Sequence, residues 1–237
     1  MEHHRRIAWT ISKRKDLPER QVPFSGVTAV IGGGGKTTLL RVLGEELAAS
    51  RRVLLCTTTK IYPFPGIPLA QTREELERPW ERSCLVCAGR PLAGTGKLIA
   101  PEQPLEDLAA RFDYVLVEAD GSAGRPLKAH APHEPVIPAA ANRTICVAGA
   151  SGFGRPIREA AHRPERYAAL AGVPESAAAT PETEAAVLRA ESLGDILYVN
   201  QTETETAREA VRALARLLEI PVAAGSLWRG EYWTCWS

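Results

Sequence analysis

Two patterns of apolar residues alternate along the chain. Helical spacing, as at Leu39, Leu43 and Leu47, predicts helices packed along one face. Strands alternating with such helices predict an α/β fold whose mostly parallel sheet carries helices on both faces. Unbroken apolar or β-branched runs predict the buried strands, at 27–31, 53–56, 114–117, 144–148 and 196–199.

Later helices are predicted at 157–171, at 181–192 and behind residue 202. The order Thr180-Pro181 is a helix start signal. Thr202 and Glu205 have the spacing of a capping box.

The rest of the chain is less regular. Residues 61–111 are predicted to be an insertion, in which 84–87 and 97–99 pair as a small hairpin. A last strand is predicted at 222–224. We therefore divide the chain into an N-terminal arm, a main domain and a Trp-rich C-terminal tail, with bounds 1–21, 22–227 and 228–237. Within the arm, the alternation of Ile7, Trp9 and Ile11 predicts a short edge strand.

Composition narrows the function classes. The 237 residues carry 29 basic and 28 acidic side chains, a net charge of +1, which argues against a dedicated nucleic-acid binder. No stretch approaches the ~20 apolar residues of a membrane span. Five scattered cysteines fit a reducing compartment, so we expect a cytoplasmic protein. Cys84 and Cys87 lie three apart on a predicted strand, face opposite sides and form neither a redox nor a metal pair.

The segment after the first buried strand has the composition of a phosphate-binding loop. Glycines allow backbone N–H groups to turn toward phosphate oxygens, and the helix that follows points its N-terminus at the anion. Lys36 can reach the β- and γ-phosphates, and the Thr37 hydroxyl can bind Mg²⁺. We assign nucleotide binding to Gly32, Gly33, Gly34, Gly35, Lys36, Thr37 and Thr38.

The loop differs from the usual pattern, because Val30 stands where a first glycine is expected. It resembles the short loop of Mur-type amide ligases more than that of typical kinases or GTPases. The fold class expected is therefore a three-layer, P-loop NTPase-like α/β domain that binds ATP or GTP.

The third predicted strand ends in two carboxylates. Glu118 and Asp120 are two apart and face the same side if the strand stays extended. A nucleotide site needs a carboxylate near its metal ion, and we assign Glu118, with Thr37, to Mg²⁺. Asp120 is a candidate catalytic residue that orients a nucleophile or binds substrate.

Further polar residues follow the predicted strands, where ligands bind in parallel sheets. Arg125 is a candidate catalytic cation that stabilises charge during transfer. His130 and His133 lack a third clear metal ligand, so we expect them to be solvated or hydrogen-bonded. Candidate contacts to a second, anionic substrate are Thr59, Lys60, Ser122, Lys128, His130 and Arg155.

Asn200 and Glu203 follow the fifth predicted strand, where GTPase-like proteins carry Asn-Lys-x-Asp to bind guanine. Gln201 replaces the lysine and Glu203 the aspartate. These residues are candidates for base recognition, and helix capping is the alternative. The pattern does not choose between ATP and GTP.

Four segments together resemble the YqeC family, in the right order, over about residues 23–227. They are the glycine loop at 32–38, Thr-Thr-Thr-Lys at 57–60, Val-Glu-Ala-Asp-Gly-Ser at 117–122 with Arg-Pro-Leu-Lys-Ala-His at 125–130, and Asn-Gln-Thr at 200–202. The resemblance implies an accessory protein that makes or inserts the labile selenium cofactor of molybdenum hydroxylases. It further implies a selenium donor protein and an apo-hydroxylase as partners.

Three functions stay open from the sequence. The first is an NTPase acting in maturation or insertion of this cofactor. The second is a Mur-like ligase or small-molecule kinase acting on an anionic substrate. The third is a nucleotide-gated delivery protein with slow hydrolysis.

Overall fold

The computed structural model describes residues 3–4, 6–12 and 25–235. Within these ranges the chain forms short helices, a 3₁₀ turn at Ala150–Gly152 and strands that mostly belong to one sheet. The helices are α1 (Ile7–Ser12), α2 (Lys36–Ala48), α3 (Arg73–Glu77), α4 (Leu105–Ala109), α5 (Ile157–Ala160), α6 (Pro164–Ala171), α7 (Pro181–Glu191) and α8 (Glu205–Arg216). The strands are β1 (His3–His4), β2 (Gly26–Gly32), β3 (Arg52–Thr57), β4 (Leu69–Ala70), β5 (Cys84–Ala88), β6 (Arg90–Leu92), β7 (Lys97–Ile99), β8 (Tyr114–Glu118), β9 (Leu127–Lys128), β10 (Ala141–Gly149), β11 (Ala161–His162), β12 (Ile196–Asn200), β13 (Val222–Ser226) and β14 (Glu231–Cys235).

The main sheet has ten strands in the order β1-β14-β13-β12-β10-β2-β8-β3-β5-β4. All neighbours from β13 to β4 are parallel, and β14 and β1 add an antiparallel edge. The predicted α/β fold with a mostly parallel sheet is confirmed. The strand that leads into the glycine loop, β2, lies between β10 and β8 near the centre of the sheet.

Alternate residues of the central strands pack on opposite faces of the sheet. On β2, Ala29 and Ile31 pack with residues of α5 to α8, and Val30 packs with residues of α1 and α2. Both layers consist of apolar side chains with almost no exposure, which explains why the central strands are nearly continuous apolar runs. The sheet is the middle layer of three.

Strand register brings the polar segments that follow the central strands to one edge of the sheet. Glu118 pairs with both Val30 and Thr57, and Gly149 pairs with Asn200. Because these strands are parallel and in register, their carboxyl ends meet beside the glycine loop.

The predicted hairpin partners are wrong. The strand at 84–87 is β5, which pairs parallel with β3 in the main sheet because its apolar residues are buried there. The strand at 97–99 is β7, which pairs with β6 to form the small hairpin of the insertion. Cys87 is buried and Cys84 packs against a different apolar cluster, so the two thiols diverge as expected.

Both ends of the described chain are packed more closely than the sequence indicates. The alternation at residues 7–11 predicts an edge strand, but these residues form α1, with Ile7, Ala8 and Ile11 buried. Within the predicted tail, Glu231–Cys235 form β14, and Trp233 is buried in the core. The part of the predicted arm at 13–21 lies outside the described residues.

Two predicted helix boundaries are also wrong. The helical stretch at 157–171 is two helices, because Ala161 and His162 pair with β9 and Pro164 starts α6. The N-cap of α8 is Thr204, whose hydroxyl accepts from Ala207, so Thr202 and Glu205 do not form a capping box. Thr180 does cap α7, as predicted.

Within the part of the chain that the structure describes, no helix has the length and apolar character to cross a membrane.

Candidate functional site

The glycine loop joins β2 directly to α2. Gly32 has a φ of +97°, and a Cβ there would collide with the carbonyl of Val147. Gly35 has a φ of +127°, and a Cβ there would lie 2.6 Å from the Asn200 side-chain amide. Glycine is therefore required by conformation and by contact at both ends of the turn.

Backbone N–H groups of the loop contact the chain itself. The Gly32 amide donates to Asp120 Oδ2 (2.9 Å), Gly33 to the Val147 carbonyl (2.8 Å) and Gly34 to the Arg125 carbonyl (3.1 Å). Gly35 caps α2 without a side-chain hydrogen bond, so no side chain at the N-cap position satisfies the amides of the first helical turn. Such amides are the donors that a helix start offers to an anion.

Lys36 folds back over the loop. Its Nζ donates to the Gly32 carbonyl (2.6 Å) and forms an ion pair with Asp120 Oδ1 (3.2 Å). The side chain is buried, although a lysine almost never is unless its charge is balanced. Asp120 supplies that balance.

Asp120 is the centre of a buried network. Its Oδ2 accepts from the Gly32 amide and lies 2.9 Å from Lys128 Nζ and 2.8 Å from His130 Nε2. Burial alone would raise the pKa of Asp120, but the hydrogen bond from His130 and the charges of Lys36 and Lys128 outweigh it and lower the pKa to about 2. Asp120 is 0% exposed, so its contacts are with the protein interior.

Two further carboxylates balance the cations around Asp120. Glu134 lies 2.9 Å from both Lys128 Nζ and Arg163 Nη1. Glu191, the last residue of α7, accepts from His130 Nδ1 (2.7 Å). Burial would lower the pKa of His130, but its hydrogen bonds to Asp120 and Glu191 raise it above the ordinary value.

Thr37 and Glu118 form the second feature of the site. The exposed Thr37 hydroxyl donates to Glu118 Oε2 over 2.7 Å. Burial raises the pKa of Glu118, and Lys36 and Thr37 only partly oppose it. A buried carboxylate beside a hydroxyl is a pair of hard oxygen donors, which fits Mg²⁺. The two residues assigned to the metal from the sequence therefore lie in contact.

The Thr57–Thr59 segment lies beside Glu118. The Thr57 hydroxyl donates to the Glu118 carbonyl (2.7 Å) and accepts from the Thr59 amide (2.9 Å). Thr59 is half-buried and Lys60 is exposed. The Thr57 hydroxyl thus fixes the backbone at the end of β3, and the exposed Lys60 can contact a ligand from solvent.

Asn200 contacts backbone on both sides. Its amide nitrogen donates to the Gly34 carbonyl (2.8 Å), and its oxygen accepts from the Leu227 amide (3.1 Å). Glu203 accepts from the Ser226 hydroxyl (2.5 Å). Asn200 is buried and ties the glycine loop to the end of β13.

Other predicted residues lie toward solvent. Arg125 is exposed and donates to the Glu159 carbonyl, and Arg155 is exposed. Ser122 is half-buried, and its carbonyl accepts from the Arg125 amide (2.9 Å). In the described ranges no group of three or more His, Cys, Asp or Glu side chains is arranged to hold a metal ion.

The sequence does not predict three residues of this network, which are Glu134, Arg163 and Glu191. Glu191 is 61 residues from His130, and Arg163 has a left-handed backbone (φ +59°) at the start of α6. Neither feature has a local signal. The sequence carries one hint, because Lys128 and His130 lie two apart, and cations that become buried need carboxylate partners.

The fold and site define an α/β protein with a glycine loop between a central parallel strand and a helix, and with a carboxylate at the end of the neighbouring strand. The family model described as YqeC protein matches residues 28–165, which is more than half of the chain. The chain therefore belongs to the YqeC family.

One relative is the protein named "Uncharacterized protein YqeC" of Escherichia coli (strain K12). It is 38% identical over 157 residues, which cover 62% of this chain and 61% of the relative. The match thus spans less than two thirds of the relative's length. The family match includes the glycine loop and the segment from Glu118 to His130, and Glu191 and Asn200 lie beyond it.

Proposed function

We propose that this chain binds a nucleoside triphosphate with Mg²⁺ and hydrolyses it. The observation that supports this proposal most strongly is the contact between Thr37 and Glu118. Thr37 directly follows Lys36 at the start of α2. This arrangement would supply a phosphate cradle, a cation for the β- and γ-phosphates and two oxygen donors, Thr37 on α2 and Glu118 at the end of β8.

The roles follow from the contacts. The amides of the first turn of α2 bind phosphate oxygens, and Lys36 moves from Asp120 toward the γ-phosphate. Thr37 and Glu118 would hold Mg²⁺, which would supply positive charge to balance the phosphates. Asp120 is 0% exposed and ion-paired, so we assign it to positioning Lys36 instead of contacting a nucleophile.

The cations at the rim are candidates for an anionic second substrate. Lys60, Arg125 and Arg155 are exposed near the ends of the strands. Ser122, Thr59 and Lys128 lie deeper, and Lys128 is already paired with two carboxylates. We propose that the exposed residues make the first contact with that substrate.

Membership of the family supports a role in the maturation or insertion of the labile selenium cofactor of molybdenum hydroxylases. We propose a selenium donor protein and an apo-hydroxylase as partners on this basis.

One observation favours nucleotide-gated delivery as the second candidate. The segment at 120–125 contacts the loop through Asp120 to Gly32 and Lys36, and through the Arg125 carbonyl to Gly34. A triphosphate that draws Lys36 away from Asp120 breaks the ion pair between them and so couples phosphate binding to this segment.

Turnover separates these functions. Phosphate release from ATP and GTP is measured with the wild type, with Lys36→Ala and with Lys97→Ala, a control in the hairpin. An NTPase gives steady release that Lys36→Ala abolishes and Lys97→Ala leaves intact. When an anionic acceptor is added, a ligase releases phosphate and forms a modified product, whereas a kinase transfers the phosphoryl group to the acceptor without release. Release that accelerates only with an apo-hydroxylase supports the delivery function. No release under any of these conditions contradicts the proposal.

A further inference from the structure

His130 lies between two carboxylates. Its Nε2 is 2.8 Å from Asp120 Oδ2 and its Nδ1 is 2.7 Å from Glu191 Oε2. An ionised carboxylate only accepts, so with both acids ionised each ring nitrogen donates and the ring is an imidazolium. The buried charge is therefore shared between two acids that come from distant parts of the chain.

Glu191 holds His130 by two contacts. Besides the ring contact, Glu191 Oε1 accepts from the His130 backbone amide over 2.6 Å. Glu191 ends α7, and with His130 it lines a cavity of about 260 Å³. Its position fixes both the backbone and the ring of His130.

Asp120 passes this constraint to the phosphate loop. It accepts from the Gly32 amide over 2.9 Å and pairs with Lys36 over 3.2 Å. If Glu191 bound His130 less firmly, the positive charge of His130 would lie less close to Asp120, and its hydrogen bond to Asp120 would weaken. Asp120 would then bind Gly32 and Lys36 in a less defined geometry.

We infer that Glu191 and His130 are positioning residues that, through Asp120, set the conformation of Gly32 and Lys36 in the phosphate loop. The Glu191–His130–Asp120 relay rests on the proposed function where nucleotide affinity is concerned. Its effect on the Gly32 amide can be measured independently of any nucleotide.

The test uses the full chain and the variants Glu191→Gln, His130→Gln and Glu209→Gln. Glu209 is exposed on α8 and serves as the matched control. Hydrogen exchange of the Gly32 and Val30 amides is measured by NMR, together with the ring ¹⁵N signals of His130. Affinity for ATP with Mg²⁺ is then measured by titration.

We expect two N–H signals from the His130 ring in the wild type. Glu191→Gln should speed exchange of the Gly32 amide about tenfold, which corresponds to about 1.4 kcal/mol. The same variant should leave exchange of the Val30 amide unchanged and weaken ATP binding about three- to tenfold. His130→Gln should have the larger effect, since it removes the direct contact with Asp120. Glu209→Gln should match the wild type.

The result that overturns the relay is unchanged Gly32 exchange and an unchanged His130 ring in folded Glu191→Gln. Equal acceleration at Val30 and Gly32 also overturns it, because the effect is then general loss of stability. If the wild type binds no ATP, the proposed nucleotide function fails, and the exchange data alone decide the relay.

Discussion

The hydroxyl of Thr37 donates a 2.7 Å hydrogen bond to the carboxylate of Glu118, which joins the helix after the glycine loop to the end of the adjacent strand. The two residues are 81 positions apart, and parallel pairing of β2 with β8 brings them together. This contact supplies the metal-binding half of the proposed site.

Removal of either partner should therefore affect binding of nucleotide with metal. Thr37→Ala and Glu118→Gln should each weaken affinity for ATP with Mg²⁺ about 10- to 100-fold, since contacts to charged groups contribute about 1.5–3 kcal/mol. Affinity without Mg²⁺ should change little. Titrations with and without Mg²⁺ check this, with Thr206→Ala, an exposed threonine on α8, as the control. Equal losses in both titrations would be evidence against a metal role.

Asn200 is predicted to position the loop. Asn200→Ala leaves the Gly34 carbonyl and the Leu227 amide without their partner, so stability should fall by about 1–3 kcal/mol. ATP and GTP should lose affinity by the same factor. Urea unfolding and competitive titration measure the two effects, and Asn142→Ala, an exposed asparagine, is the control. Selective loss of one nucleotide would instead support base recognition by Asn200.

The stability of the chain should depend on pH through Glu184. Burial raises the pKa of Glu184 to about 7, although a hydrogen bond from Tyr167 partly opposes the shift. The folded state thus keeps this proton to higher pH than the unfolded chain, whose carboxyl titrates near ~4.3. The stabilisation is complete below that value and is lost as pH rises through about 7.

Glu184→Gln removes this dependence. Relative to the variant, the wild type should lose roughly 2–3 kcal/mol of unfolding free energy between about pH 5 and pH 8. Urea unfolding at several pH values measures the difference, with exposed Glu182→Gln on the same helix as control. Parallel curves for wild type and Glu184→Gln would show that Glu184 does not titrate in this range.

The C-terminal strand should contribute to stability. Trp233 is 1% exposed in the core, and Trp228, five residues earlier, is 92% exposed. Trp233→Ala should cost about 3–5 kcal/mol because it leaves a large cavity. Trp228→Ala should change stability by less than about 0.5 kcal/mol. Denaturant unfolding measures the free energy of unfolding of both variants. Similar decreases in the two variants would contradict the observed packing.

The central strands were predictable because each is a continuous apolar run, and polar residues follow each run where the strand ends. The sequence predicts that the carboxyl ends of parallel strands share one edge, and the structure shows that Val30 and Glu118 are direct neighbours there. The glycine loop and Glu118 each follow one of these strands, and Thr37 contacts Glu118 at that edge. Local pattern and tertiary position agree there.

Contacts between distant segments could not be predicted. Nothing near Glu191 indicates that it binds His130, and the contact depends on where α7 ends. The apolar alternation at Ile7 and Ile11 fits a strand or one buried helix face, and packing against α2 selects the helix. The strand of 84–88 fits two partners, and burial beside β3 selects one.

Titration calorimetry of the chain with ATP and with GTP, in the presence and absence of Mg²⁺, decides whether the glycine loop binds a nucleotide. We predict one site per chain for at least one of these nucleotides, with Mg²⁺ strengthening the binding and Lys36→Ala abolishing it. Lys97→Ala should bind like the wild type. Failure of the folded wild type to bind either nucleotide, or equal binding by Lys36→Ala, would contradict it.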